Sequence, residues 1–159
     1  MTIAVEIVAF PETKIAAVEH RGAPELEHET ARRLIQWRIQ NGYPPDRYKT
    51  YGIHYTDPAK TAPEEHRVDF AIAVDADVPP NPQGVINKRI PALRCAKARH
   101  LGSRENNTTA RYLAEVWLPQ SGERLADFPI FFHYVNVGPN VREEEMVTDV
   151  YLPVVGAVR

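Results

Sequence analysis

Residues 18–22 read Val-Glu-His-Arg-Gly, and residues 98–102, 80 positions later, read Ala-Arg-His-Leu-Gly. The same offset places Trp37 on Trp117 without a gap, and the chain has only these 2 tryptophans. Chance rarely aligns both tryptophans of a chain together with two His-x-Gly pairs. The sequence therefore predicts two copies of one unit.

This repeat also predicts how the chain is divided. The copies cover about residues 3–76 and 83–156, and the proline-rich stretch Pro79-Pro80-Asn81-Pro82 joins them. A copy of roughly 75 residues is marginally stable alone, so we expect one domain, residues 1–159, with a shared core. Duplicated units usually pack about a pseudo-two-fold axis, and the cleft between them is a natural place for a ligand.

Each copy shows short apolar strands around one amphipathic helix. In the first copy the helical stripe ends at Gly42, and in the second we expect Ser103 as the N-cap and Gly122 as the C-cap. The expected strands are 5–8, 14–18, 48–55, 67–74, 93–100, 130–137 and 147–154, and the expected helices are 25–40 and a stripe over 110–118. The pattern predicts an α+β fold of duplicated β-α-β-β units with pseudo-two-fold symmetry, in which an antiparallel concave sheet carries two helices on one face.

Composition favours a globular protein that acts on small molecules. The chain is 43% hydrophobic and 25% charged, and its net charge of −2 supplies no field that would attract nucleic acid or an anionic membrane. The 1 cysteine, Cys95, fits a reducing compartment. The N-terminus does not resemble a signal peptide, and no apolar stretch reaches the ~18 residues of a membrane helix. We therefore expect a cytoplasmic protein without nucleic-acid or membrane partners.

Several motifs together resemble a known family. They are residues 18–22 before an amphipathic helix, Trp117-Leu118-Pro119-x-Ser121-Gly122, Asp127-Phe128-Pro129, residues 148–153, and the stretch from Trp37-Arg38 to Asp57-Pro58. Their order and spacing are similar to the GyrI-like small-molecule-binding family, which includes effector-binding domains of AraC-type and MerR-type transcription regulators. The resemblance implies a duplicated β-α-β-β fold whose cleft binds small molecules, multidrug binding included.

The sequence departs from that family in two places. The resemblance begins at about residue 3, so we expect the stand-alone form, without a helix-turn-helix DNA reader. Many members carry a glutamate in a Phe-Glu-x-Tyr-like stretch on the third strand of the second unit, where this chain has Phe132-His133-Tyr134. The histidine reduces the expectation of cationic-drug binding and of the glutamate-dependent hydrolysis that the resemblance implies for some relatives.

His133 is the main candidate for ligand binding. Strand alternation sets Phe131 on the same face, and the equivalent strand of the first copy presents Tyr51 and Tyr55. The resemblance places this position on the cleft floor. The alternative is an ordinary strand histidine, satisfied by a hydrogen bond or by solvent.

Three helix residues are further candidates for ligand contact. Trp37 and Trp117 could stack on a flat ligand, although their equivalence in the repeat favours packing in the core. Tyr112 lies beside the apolar stripe of its helix and could lean over the cleft. His20 and His100 precede the turn into each helix, and their repetition predicts a structural role such as bonding the turn backbone.

The remaining motifs argue against metals, cofactors and common nucleophiles. The 6 histidines contain no i, i+4 pair, and no glycine-rich phosphate loop occurs. Ser103 and Ser121 sit at helix ends, where capping is their usual role. The glutamate runs 64–65 and 143–145 are typical of solvated loop edges. We therefore expect no metal and no cofactor.

These observations favour binding over catalysis. The first hypothesis is a protein that senses or sequesters an amphipathic, aromatic ligand in the cleft between its halves. A second is a hydrolase of a reactive small molecule in the same cleft, with His133 and a nearby tyrosine as the candidate acid-base groups. A third is an inhibitor module, similar to a gyrase inhibitor, that docks on a larger protein through an exposed apolar patch.

Overall fold

The computed structural model describes residues 3–156, which form two compact units. Unit 1 contains residues 3–12 and 91–156, and unit 2 is Thr13–Ile90. The strand that opens each sequence copy therefore belongs to the unit that is formed mainly by the other copy. The single shared core and the pseudo-two-fold axis stay predictions.

Unit 2 is an antiparallel four-stranded sheet with one long helix. Its strands are β2 (Thr13–Arg21), β3 (Thr50–His54), β4 (Arg67–Ala73) and β5 (Ile86–Ile90), in the order β3-β4-β2-β5. Short 3-10 helices at Pro24–Leu26 and Pro63–Glu65 precede α1 (Glu27–Asn41) and β4. Gly42 ends α1 with a φ of 73°, a left-handed conformation that costs other residues more than glycine.

One face of this sheet carries α1. Ala16, Val18 and Ile72 pack with Leu34 and Trp37 of the helix in a single buried cluster. Because neighbouring strand residues point to opposite faces, Ala17, Ile53, Asp69 and Ala71 lie on the other face. We call it the helix-free face of unit 2.

Unit 1 repeats the plan with a broken helix. Its sheet has the order β1-β6-β9-β8, and short β7 pairs with β9. The elements are β1 (Glu6–Phe10), β6 (Leu93–Leu101), α2 (Thr108–Tyr112), a π-helical turn (Leu113–Trp117), α3 (Leu118–Ser121), β7 (Arg124–Leu125), β8 (Phe131–Tyr134), a 3-10 helix (Glu143–Glu145) and β9 (Val147–Val155). The core on the helix side is formed by Ala96, Ala98, Leu113, Val150, Leu152 and Val154.

Proline explains the π-helical turn. Pro119 has no N–H, and inside an α-helix its ring would clash with the carbonyl of Glu115, which lies in that turn. Widening the turn relieves the clash. Ile39 occupies the equivalent position of α1, which is a regular α-helix throughout.

The expected N-cap of the second helix was wrong. Asn107, not Ser103, is the cap, and its Oδ1 accepts the backbone N–H of Ala110 at 2.9 Å. Ser103 instead accepts the N–H of Glu105 at 3.3 Å within the preceding turn. The polar residues between Ser103 and Asn107 extend that turn, so the helix begins only at Thr108.

The structure confirms an α+β fold of antiparallel strands and helices. Strands β5, β6 and β9 begin 80 residues after β1, β2 and β4, which is the offset of the sequence repeat. Among residues 3–156, no helix has the length and apolar character needed to span a membrane.

Candidate functional site

The sheet face of unit 1 that carries no helix brings together the candidate residues of β8. Phe132 packs against the core on the helix side, so its neighbours Phe131 and His133 point the other way. In the register of β8 with β9, these two residues stand opposite Tyr151 and Asp149. We define the helix-free face of unit 1 by Lys97, Arg99, Phe131, His133, Asp149 and Tyr151.

Three aromatic rings form the apolar part of this face. The rings of Phe131 and Tyr151 stack with centroids 5.0 Å apart, and Phe10 meets both edge-on at 4.9 and 5.2 Å. Such geometries stabilise aromatic pairs beyond the burial of their area. Burial, together with Asp149, raises the pKa of Tyr151 to about 12, so its hydroxyl stays a hydrogen-bond donor at neutral pH.

Charged groups adjoin these rings and converge on Asp149. Arg99 donates from Nε to Oδ1 at 2.8 Å and from Nη2 to Oδ2 at 3.2 Å, a bidentate contact. Lys97 Nζ and His133 Nδ1 each lie 3.9 Å from Oδ2. Because Asp149 is only 3% exposed, this carboxylate must keep such partners to remain charged.

A cavity of about 410 Å³ opens beside these charged groups. Its volume falls within the range of small-molecule sites. It is lined by Ala4, Val5, Glu6, Lys97, Ala98, Arg99 and Asp149.

Unit 2 holds a second carboxylate at the equivalent position. We call the group Glu19, Tyr55, Arg67, Asp69 and Lys88 the Asp69 cluster. Lys88 Nζ donates to Asp69 Oδ2 at 2.6 Å and to Glu19 Oε2 at 2.8 Å, and the Tyr55 hydroxyl donates to the same Asp69 oxygen at 3.0 Å. The Arg67 guanidinium lies 4.0 Å from the centre of the Tyr55 ring.

Hydrogen bonds within the cluster favour the charged forms of Lys88 and Glu19. Burial alone would lower the pKa of Lys88, but its hydrogen bonds to Asp69 and Glu19 outweigh burial and raise it. The hydrogen bond from Lys88 lowers the pKa of Glu19 despite the opposing effect of burial. Burial and Asp69 raise the pKa of Tyr55. Lys88 and Glu19 are therefore charged at neutral pH, whereas the Tyr55 hydroxyl stays neutral.

Of the candidate residues, Trp37 and Tyr51 are buried and Trp117 is half-buried. Trp37 is 3% exposed and stacks on Tyr43 at 5.2 Å, and Tyr51 is also 3% exposed. This burial favours packing over ligand contact for Trp37. Trp117 packs against the core of unit 1 but stays half-buried, because the position equivalent to Tyr43 is Glu123 and supplies no covering ring.

The other candidate residues differ in how deeply they are buried. Tyr112 is half-buried on α2, and Tyr55 belongs to the Asp69 cluster. Phe131 is fully buried in the aromatic group, while His133 keeps 14% of its side chain exposed. A role of these residues in ligand binding stays a prediction.

Sequence reasoning missed Asp69 and Asp149 as functional candidates. The available signal was a single acidic residue inside each of two apolar strand runs, 67–74 and 147–154, at the offset of the repeat. A carboxylate buried at the same place in both copies is costly to keep charged, so it marks a position worth testing.

The paired histidines have the structural role expected of them. His20 Nε2 donates to the carbonyl of Ala23 at 2.9 Å, and its Nδ1 lies 2.7 Å from Thr30 Oγ1. His100 makes the same contacts, with the carbonyl of Ser103 at 2.9 Å and with Thr109 Oγ1 at 3.0 Å. Each histidine ties the turn after its strand to the helix that follows. Within residues 3–156, no three His, Cys, Asp or Glu side chains are grouped so that they could hold a metal ion.

Comparison with known proteins identifies the family. Residues 3–155 match the profile of the GyrI-like small molecule binding domain. The chain belongs to this family. It is 38% identical over 155 residues to the probable transcriptional regulator YgiV of Escherichia coli (strain K12). The aligned region covers 96% of this chain and 97% of YgiV.

Solved structures share the GyrI-like fold at lower identity. The C-terminal domain of EcmrR aligns with a TM-score of 0.77 at 15% identity, covering 99% of this chain and 100% of that domain. A hydrolase from Listeria innocua aligns with a TM-score of 0.64 at 13% identity, covering 95% of this chain and 91% of the hydrolase. At these identities the likeness is one of fold.

Proposed function

We propose that this GyrI-like domain binds an amphipathic, aromatic small molecule and serves to sense or sequester it. Family membership supports small-molecule binding, and the relative YgiV, named as a probable regulator, supports an effector role. The observation that carries the proposal is the helix-free face of unit 1. There, converging charged groups line a cavity of about 410 Å³, and the stacked rings of Phe131 and Tyr151 pack on the same face.

Such a surface suits a ligand with one flat apolar part and one polar part. Ala4, Val5 and Ala98 provide apolar contact in the cavity, and its fixed charged groups provide orientation. His133 can donate or accept a hydrogen bond. A cytoplasmic location, and the absence of direct contact with DNA or membrane, belong to the same proposal.

A thermal-shift screen of aromatic and polycyclic compounds tests this function. A ligand that binds the native state raises Tm, and an excess of ~100 Kd stabilises by about 2.7 kcal/mol. His133→Ala should reduce the shift of a compound that bonds the imidazole, whereas His28→Ala, on the exposed side of α1, should leave it unchanged. A panel that produces no shift in the parent protein would refute the proposal.

Hydrolysis is a second candidate, favoured by one contact. The imidazole Nδ1 of His133 lies 3.9 Å from Asp149 Oδ2, and this contact would have to shorten to a hydrogen bond on ligand binding for the carboxylate to orient a general base. The hydrolase of Listeria innocua shares the fold, but its activity is not thereby transferred. Mass spectrometry of stabilising compounds after incubation decides between the two: turnover that His133→Ala abolishes supports hydrolysis, and recovery of intact compound supports binding alone.

A further inference from the structure

Two buried polar atoms of the Asp69 cluster lack hydrogen-bond partners among the described residues. One is Asp69 Oδ1, an acceptor, and the other is Arg67 Nε, a donor. Asp69 is 0% exposed, so its unpaired oxygen has left water without finding a replacement. An unsatisfied buried group of this kind costs about 1–3 kcal/mol, and a partner that satisfied it would recover part of that cost.

The two unpaired atoms belong to one place in the structure. Asp69 and Arg67 are two residues apart on β4, so their side chains emerge on the same face with Cα atoms about 7 Å apart. Tyr55 connects them, because its hydroxyl bonds Asp69 while Arg67 lies over its ring. An acceptor and a donor thus lie on one face of β4, close to an aromatic ring.

Charge selects the kind of group that fits these atoms. The two carboxylates already have cationic partners. Lys88 bonds both of them, and Arg67 and Arg21 lie 3.5 and 3.8 Å from Glu19 Oε2. An added cation would repel Lys88, and an added carboxylate would have no N–H to give to Asp69 Oδ1. A neutral group with both an N–H donor and a carbonyl acceptor satisfies both atoms without adding charge.

We infer that the Asp69 cluster is a subsite for a neutral amide group on an aromatic ligand. The amide N–H donates to Asp69 Oδ1, and the amide oxygen accepts from Arg67 Nε. This inference rests on the proposed small-molecule binding and names the chemical class that unit 2 would select. The side chains above the buried atoms are partly exposed, with Arg67 at 32%, Glu19 at 33% and Lys88 at 22%, so their movement can admit the ligand.

Three benzene derivatives of equal size test the inference. Benzamide carries the donor and acceptor, benzamidine is a cation with donors only, and benzoate is an anion with acceptors only. Fragments of this size bind weakly, so the full chain is titrated by NMR with the Arg67 Nε–Hε signal as the direct readout. We expect benzamide to shift this signal and to bind at least about threefold more tightly than either ion, since the gain is about one hydrogen bond.

A matched pair of variants separates this subsite from general binding. Arg67→Lys keeps the positive charge and removes Nε–H, so it should weaken benzamide binding by about threefold to tenfold and leave benzamidine unchanged. Arg32→Lys is the control, because Arg32 is exposed on α1 on the opposite face of the unit 2 sheet, and it should leave benzamide binding unchanged. The benzamide titration of the parent protein holds whether or not either variant folds.

Each outcome has a definite meaning. Equal binding of the three compounds, tighter binding of benzamidine, or unchanged benzamide affinity in a folded Arg67→Lys variant overturns the amide subsite. If that happens while other aromatic compounds still raise Tm in a manner sensitive to His133→Ala, the proposed function survives alone. If no aromatic compound raises Tm, both fail.

Discussion

Acid should destabilise this protein through one half-buried histidine on β3, His54. Burial, and secondarily the nearby His66, lowers the pKa of His54 from its usual value of 6.5 to about 4. In the unfolded chain the His54 imidazole binds a proton below pH ~6.5, whereas in the folded chain it binds one only near pH ~4. The contribution of His54 to the free energy of unfolding is therefore complete above pH ~6.5 and decreases as the pH approaches 4. The loss is at most about 3 kcal/mol, since one pKa unit corresponds to ~1.4 kcal/mol.

Urea unfolding measured at intervals between pH 7.5 and pH 4 gives this loss directly. His54→Gln removes the titrating group, so its free energy of unfolding should fall with pH by about 2–3 kcal/mol less than that of the parent. His28→Gln, at an exposed position of α1, should keep the parent's pH dependence. If His54→Gln loses stability over this range as steeply as the parent, His54 does not carry the effect.

Four substitutions test the packing and one buried hydrogen bond. Trp37→Ala should cost about 3–5 kcal/mol in chemical unfolding because the ring is fully packed, and Trp117→Ala about 1–3 kcal/mol because its ring is half-buried; equal losses would contradict the assigned difference. Pro119→Ala should let the π-helical turn become regular α-helix, which a crystal structure would show, and a turn that persists would exclude proline as its cause. Tyr55→Phe should cost about 1–3 kcal/mol, since its hydroxyl donates to the buried carboxylate of Asp69, and an unchanged urea midpoint would argue against that bond.

The sequence predicted the secondary structure because the apolar periodicity was strong and occurred twice. Gly42 and Gly122 were recognised as helix caps, since both end an apolar stripe where a left-handed residue is needed. The broken second helix was not anticipated, although Pro119 was the local signal for it. The exchange of leading strands could not be predicted, because strand pairing depends on tertiary contacts rather than on local pattern.

The candidate site was only partly visible in the sequence. His133 was selected by its place in a strand and by resemblance, and the structure sets it beside Asp149. The two buried carboxylates were overlooked because a lone acidic residue in an apolar strand has no partner that sequence distance reveals. Arg99 lies 50 residues from Asp149 along the chain, and Lys88 lies 19 residues from Asp69.

The central claim, that the helix-free face of unit 1 binds an aromatic small molecule, is tested most directly by NMR mapping. The compound with the largest rise in Tm is titrated into the isotopically labelled chain, and every shifted signal is assigned. We predict that the largest shifts fall on His133, Asp149, Lys97 and Arg99, beside the cavity. Shifts confined to the exposed surfaces of α1, or no saturable shift at all, would contradict the claim.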